Sequence, residues 1–360
     1  MLKKLDYYII KKFLITFFFT LALIMLITVI FDVSEKLEDF IDKKASLYAI
    51  IFEYYIYFIP YFANMFSYLF VFISVVFFTS RMAYQNEFVV MLASGISFNR
   101  IMRPYFIAAG ILSVLSFLLG AYLLPIANKH RLAFEDKYIH NQFVNNQENI
   151  HKQIKPGTYI YMEHYSVASQ TGYAFSMEKF DTNNTLTYKL VSDFIQWDTT
   201  KNKWKIFNYY TRRYNGLLES LQKGSEKDTL YSFYPTDFAK REDVIQAMNL
   251  KQLDDHIAEL KLQGSPNVEK VKMYKYQLFS MPFATFILTL IGVALSARKV
   301  RGGTGLHIGL GLAISFSYIL FMQLSVNIVL GVGINTILGV WIPNLIYALI
   351  GLVLYRFAPK

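Results

Sequence analysis

The sequence predicts a polytopic α-helical membrane protein. Six transmembrane helices, arranged three and three, flank an inserted antiparallel β-sandwich or jelly-roll domain. Three observations predict this fold. Six apolar blocks, at about 13–31, 54–79, 104–126, 277–297, 306–330 and 335–355, approach or exceed the roughly 20 residues needed to cross about 30 Å of hydrocarbon. Between the third and fourth blocks the composition turns polar and tyrosine-rich, and parts of it alternate with period two, as half-buried strands do. Hydrophobic residues make up 54% of the 360, against roughly 45–50% in soluble domains, and the excess comes in long runs. The chain therefore divides into residues 1–127, 128–267 and 268–360.

Lys3, Lys4, Lys11 and Lys12 precede the first block, as they would in a signal peptide. Its apolar core of about 19 residues is longer than the usual 7–15, and no small-residue cleavage pattern lies in the following "FDVSEKLEDF". It is expected to be an uncleaved first helix, followed by an acidic loop at 32–44. The second and third blocks bracket "NEFVVMLASGIS" (86–97), which is too short to span a bilayer. Asn86 is placed to cap a short helix near 84–96, Glu87 falls in its first turn, and Gly95 can take the positive φ that ends it. Phe88, Met91 and Leu92 fall at i, i+3 and i+4 and form one apolar face. Two readings stay open from spacing alone. The helix lies on lipid, or it docks as a knob in a groove on a soluble partner with Glu87 paired to a cation there.

In the central segment, 157–165, 172–180, 185–198 and 203–214 read as strands, with "DTNN" and "DTTKNK" as turns. Leu250, Leu253, Ile257 and Leu260 then fall at helical spacing, and Gly264 and Pro266 stop the helix, so 248–266 is expected to link the β domain back to the membrane near Val268. In the last three blocks, Gly305, Gly309 and nearby small residues are expected to let helices approach closely. Pro60, Pro282 and Pro343 are possible kinks.

Charge sets the expected orientation. With the N-terminus inside, the inside segments carry Lys3, Lys4, Lys11, Lys12, Arg81, Arg100, Arg103, Arg298, Lys299, Arg301, Arg356 and Lys360 against two acids, Asp6 and Glu87. That balance equals the whole net charge of +10, and it fits topogenic cations bordering anionic lipid better than nucleic-acid binding. Both termini are expected inside and the β domain outside. There is no cysteine, so disulfides and thiolate sites are excluded. His130, His140, His151, His164 and His256 are scattered without metal-ligand spacing, and no nucleophile motif stands out. The only acid or histidine within a block is His307, and Glu53 stands beside the second block; both are expected at interfaces, which speaks against ion-driven transport. No P-loop occurs, so any uphill movement takes its energy from a partner, and 86–97 is the candidate contact.

At that point the sequence resembles the LptF/LptG permeases of lipopolysaccharide export. "NEFVVMLASGIS" followed by "RIMRP" is similar to the family's coupling-helix region, "LDYYIIKKFL" to an LptG-type N-terminus, "YKYQLFSMPFA" to the re-entry into the fourth helix, and "WIPNLIYALIG" to the last helix. The likeness covers nearly the whole chain and leans to LptG over LptF. It implies a transporter subunit, not an enzyme, in the bacterial (Gram-negative) inner membrane with a periplasmic jelly roll. Its implied partners are the paralogous permease in an LptF/LptG heterodimer, an LptB-like ATPase dimer that holds the ATP and Mg, and LptC-like and LptA-like periplasmic proteins. It implies no cofactor or metal on this chain itself. The complex would extract lipopolysaccharide and pass it to a periplasmic bridge. Glu87, Phe88, Met91, Leu92 and Gly95 would dock on the ATPase. The first and fifth helices would form the lipid gate, with Phe17, Leu21, Ile24, Phe316, Leu320 and Leu324 as candidate lining.

Lipid phosphates call for cations near the outer interface, and Lys36, Lys43, Lys44, Lys129, Arg131, Lys272 and Lys275 qualify by position. Asp32 and Glu35 intrude where the family often keeps a basic residue. The alternative is a membrane-anchored scaffold whose periplasmic β domain binds envelope partners and transports nothing.

Overall fold

The computed structural model describes residues 3–139, 148–216, 218–238, 242–265, 267–298 and 303–358. His140, Pro266, Lys299, Arg301 and Lys360 lie outside the described residues. The chain forms two compact units that part after Phe134 and again after Val268.

The first unit is helical. Among the described residues six helices are long and apolar enough to cross a membrane. The chain is a multi-pass membrane protein. Helix α1 runs unbroken over Lys4–Asp42, because the sequence there contains neither glycine nor proline. The expected acidic loop is thus helical for most of its length. Lys36 sits one turn beyond Asp32 and pairs with it at 2.5 Å. The second span, in which Pro60 was a possible kink, is interrupted. A π-helical stretch, Ala49–Tyr55, leads into α2, Ile56–Met65, which contains Pro60. Phe66 leaves the helical region at φ −105° and ψ 12°, and α3 resumes over Ser67–Tyr84. Pro60 removes one backbone donor and crowds the preceding turn, which favours a break nearby.

The short α4, Glu87–Ala93, leads into α5, Phe98–Leu118. A π-helical turn, Leu119–Leu123, joins α5 to α6, Leu124–Tyr138, so this span continues well past residue 127. After the β domain come α8, Val268–Ser296, α9, Gly303–Val332, and α10, Thr336–Arg356. Among the described residues, two of the apolar clusters that hold the bundle stand out. One gathers Ile9, Phe13, Phe78, Met82, Phe98 and Tyr105 from α1, α3 and α5. The other joins Phe72 and Val76 of α3 to Leu288, Tyr318 and Tyr347 of the last three helices. Of the small residues expected to allow close approach around Gly305 and Gly309, Gly311 does so, since an added Cβ there would lie 3.2 Å from Val76. Gly305 and Gly309 have nothing within 4 Å of that position, so they fall on the open side of α9.

The second unit is a six-stranded antiparallel sheet in simple meander order. Strands β2 (Thr158–Ser166), β3 (Thr171–Phe180), β4 (Leu186–Asp198) and β5 (Lys203–Asn215) fall where the alternation placed them. Two strands were hidden from that pattern, β1 (Glu148–Lys155) and β6 (Leu218–Thr229). β6, "LESLQKGSEKDT", carries almost no apolar residue, and its pairing with β5 defines it. The turns are tight: the Asp181 carboxylate accepts from the backbone of Asn183 and Thr185, each at 2.9 Å. Asp198 does the same for Thr200 and Lys201, and these backbone donors hold its carboxyl below the usual range. Connections this short keep neighbours in sequence adjacent in the sheet. The described residues therefore form one six-stranded antiparallel sheet, the β domain expected between the two sets of spans. The second layer is the segment after β6. Phe233 and Phe238 pack on Trp204, whose indole N–H donates to the Phe233 carbonyl at 2.8 Å. The linking helix α7, Leu250–Leu262, starts with a reciprocal cap: Asn249 Oδ1 accepts from Gln252 N and Gln252 Oε1 from Asn249 N. Its buried residues are Leu253, Ile257 and Leu260.

Candidate functional site

Helix α4 is held against α1 by its own first residue. The Glu87 carboxylate accepts a hydrogen bond from the Tyr8 hydroxyl at 2.8 Å and lies 3.3 Å from Lys12 Nζ. Lys12 in turn donates to Tyr8 Oη at 2.6 Å, closing a triangle of three side chains. Tyr8 and Lys12 stand one turn apart on α1, so one face of that helix presents both donors. About a third of the Glu87 side chain stays exposed, so the acid is engaged without being sealed off.

The apolar face of α4 points inward. Phe88 is fully buried and Met91 nearly so, packed in the cluster of Ile9, Phe13, Met82 and Phe98. Leu92 is half-buried against the same cluster. These three residues pack within the chain's own bundle, and the surface left for a partner lies on the opposite side. There Val89 is 48% and Val90 64% exposed, followed by Ala93 and Ser94. Exposed valines on a seven-residue helix hold it poorly by themselves, so the inward anchors fix its position.

Both ends of α4 are built by backbone geometry. Asn86 occupies the N-cap position in the left-handed region at φ 62°, and its side chain makes no capping bond, contrary to expectation. It serves to turn the chain out of α3. At the other end Gly95 takes φ 82°, Gly95 N–H reaches the Leu92 carbonyl at 3.0 Å and Ile96 N–H the Met91 carbonyl at 3.2 Å. This paired closure is a Schellman end, and the positive φ explains the glycine. A second tie follows directly. Arg100, in the first turn of α5, grips the buried Asp6 of α1 with two hydrogen bonds of 2.5 and 2.6 Å. The α4 segment is thus fastened to α1 on both sides, before and after its exposed face.

The other expected site residues are dispersed. Phe17 is buried, and with Leu21 it lines a small cavity of about 90 Å³ beside Asn64, Ser67 and Ser116. Ile24 packs half-buried on the same bundle. Phe316, Leu320 and Leu324 project outward from α9 and are more than half exposed, so within this chain the two sets do not meet. Among the cations, Lys36 is committed to Asp32 and the Tyr54 hydroxyl. Arg131 is buried over the Tyr61 ring at 4.3 Å and donates to Asn128. Lys272 pairs with Glu269. Lys43 follows the last turn of α1 and Lys275 is half-buried, which leaves Lys44 and Lys129 as the exposed members. Glu53 is exposed. His307, in the first turns of α9, is buried and its Nε2 lies 2.9 Å from the Arg298 carbonyl. His151 and His164 pack on different tyrosines, Tyr161 and Tyr173.

Sequence reasoning found the α4 segment and missed what holds it. Tyr8, Lys12, Asp6 and Arg100 were visible only as an acid, an aromatic and flanking cations. The one local signal was the i, i+4 spacing of Tyr8 and Lys12. No curated protein matches the chain. A protein-family model described as "Lipopolysaccharide export system permease LptF/LptG" matches residues 7–356.

Proposed function

Because the chain belongs to the LptF/LptG family of lipopolysaccharide export permeases, we propose that it is the transmembrane subunit through which a separate ATPase drives lipopolysaccharide out of the inner membrane. The observation that carries the coupling half of this reading is α4: an anchored short helix with an exposed valine face and no nucleotide-binding motif anywhere in the sequence. The charge balance supports α4 on the cytoplasmic side and the β domain in the periplasm. The partners are a paralogous permease, an LptB-like ATPase dimer that binds ATP and Mg, and LptC-like and LptA-like bridge proteins that receive the lipid from the β domain. The outward residues Phe316, Leu320 and Leu324 suit contact with lipid or with the paralogous permease.

The ties of α4 give two roles where one was expected. Val89, Val90 and Ala93 meet the ATPase. Glu87, through Tyr8 and Lys12, passes the movement of α4 to α1, the helix that carries Phe17, Leu21 and Ile24. The two roles separate experimentally. Val90→Glu places a charge in the docking face and is expected to abolish copurification of the ATPase. Glu87→Gln keeps the docking face, so the ATPase still copurifies, while lipid released per ATP hydrolysed falls several-fold. Loss of copurification in Glu87→Gln, or none in Val90→Glu, overturns the assignment. An anchored scaffold would bring down no nucleotide-binding protein through this segment at all.

A further inference from the structure

The inner face of the β sheet holds a charged cavity that the coupling of α4 does not involve. It opens where β3 turns into β4 and β5 into β6, with a volume of about 550 Å³. Met177 and Leu190 form its floor, both buried. Lys179, Tyr188 and Arg213 lie side by side across three strands, since Lys179 pairs with Tyr188 and Tyr188 with Arg213. The backbones of the two cations are two strand spacings apart, about 10 Å, which their long side chains can close around one tetrahedral anion. Lys227 lines the cavity from β6. Among the described residues no carboxylate lines it.

The cations on the outer face are treated differently. Lys189 pairs with Glu178 at 2.7 Å, Lys205 with Glu226 at 2.8 Å, and Arg212 with Glu219 at 3.3 Å. Among the described residues, Lys179, Arg213 and Lys227 have no such ion pair; Lys179 rests over the Tyr188 ring at 5.3 Å. Like charges gathered on one face repel, so three cations left without carboxylates make a standing positive potential over an apolar floor. Burial pushes the Tyr188 and Tyr231 phenols up, so both stay protonated and can donate hydrogen bonds. An anion joined to an apolar body matches this surface. A phosphomonoester, with nearly two charges and three acceptor oxygens, answers three cations better than a carboxylate does.

We propose that this cavity binds a phosphate group of the exported lipid, with Lys179, Arg213 and Lys227 around the phosphate and Met177 and Leu190 against the neighbouring apolar carbons. The assignment rests on the reading that lipopolysaccharide passes through the β domain. It makes the sheet a checkpoint for the charged head of the lipid as well as a path for it.

The test uses the full chain assembled with its partners in detergent, with a photoreactive benzoylphenylalanine replacing Thr187 on the cavity rim or, separately, Leu21 on α1. The probes are bisphosphorylated lipid A and the same lipid with its phosphates removed. At the Thr187 position, bisphosphorylated lipid A is expected to crosslink roughly tenfold better than the dephosphorylated lipid. The variant Lys179→Gln/Arg213→Gln/Lys227→Gln is expected to erase that preference. The outer-face variant Lys189→Gln/Lys205→Gln/Arg212→Gln is expected to keep it, and circular dichroism checks that both retain the sheet. Equal crosslinking of the two lipids at Thr187, or equal loss in the inner and outer variants, overturns the phosphate site while crosslinking at Leu21 leaves the export reading standing. No crosslink at either position overturns the export reading itself. Radiolabelled inorganic phosphate retained by the chain, lost in the inner variant and undiminished by lipid A, assigns the cavity to free phosphate and overturns its assignment to lipid.

Discussion

The carboxylate of Asp32 is buried just past the apolar block of α1, where an uncompensated charge costs several kcal/mol. It is tolerated because the Tyr55 hydroxyl donates to it at 2.9 Å, the Tyr54 hydroxyl at 3.3 Å and Lys36 at 2.5 Å. Asp32→Ala leaves these donors without their shared acceptor and is expected to lower stability by about 2–4 kcal/mol, measured as thermal unfolding in detergent. Asp32→Asn, which keeps an acceptor oxygen, is expected to lose less; an alanine variant as stable as the parent would show that the cluster is not holding the helices. The sequence marked Asp32 only as an intruder among expected cations. Its tyrosine partners lie 22 and 23 residues away on the next span, beyond the reach of any local spacing rule. The same limit hid the partners of Glu87, which come from a helix more than seventy residues earlier. Turn residues such as Asp181, Asp198 and Gly95 were legible because their chemistry is local.

Helices were easier to place than to shape. Six apolar blocks announced six spans, yet nothing in hydropathy distinguishes a straight span from a broken one. The break at Phe66 and the π-helical turn at Leu119–Leu123 are neighbours in space. Ser116 donates to Asn64 at 2.8 Å and lies 3.1 Å from Ser67, and a Cβ at Gly120 would come within 3.2 Å of Asn64 Nδ2. The two irregular stretches thus pack side by side, joined by hydrogen bonds between their flanking side chains. Gly120→Val is expected to cost about 1–3 kcal/mol through crowding of Asn64 and Leu278, read as a lower melting temperature. Gly309→Ala, which meets open space on α9, is expected to be neutral or slightly stabilising. If the two variants melt alike, the irregular pair is not tightly packed. In the sheet, β6 escaped notice because pairing with a neighbour, and not its own composition, makes it a strand.

At the scale of the molecule, the division into three spans, a β unit and three spans was readable because membranes impose length and polarity directly on sequence. Orientation follows from charge under the proposed function. A reporter fused at residue 200, in the β4–β5 turn, is expected to be active only outside the cytoplasm, and a cytoplasmic readout there would reverse the whole arrangement. The helices of the first half also differ in stiffness. The second span has Pro60 and a break, and the third has Gly120 in a π-helical turn. Helix α1 has neither over its 39 residues, roughly 58 Å of uninterrupted hydrogen-bonded rod. One end is pinned to α4 through Tyr8 and Lys12, the other to the second span through Asp32 and Lys36. Under the proposed function, a movement of α4 passes along this continuous rod with less bending than along the interrupted spans beside it.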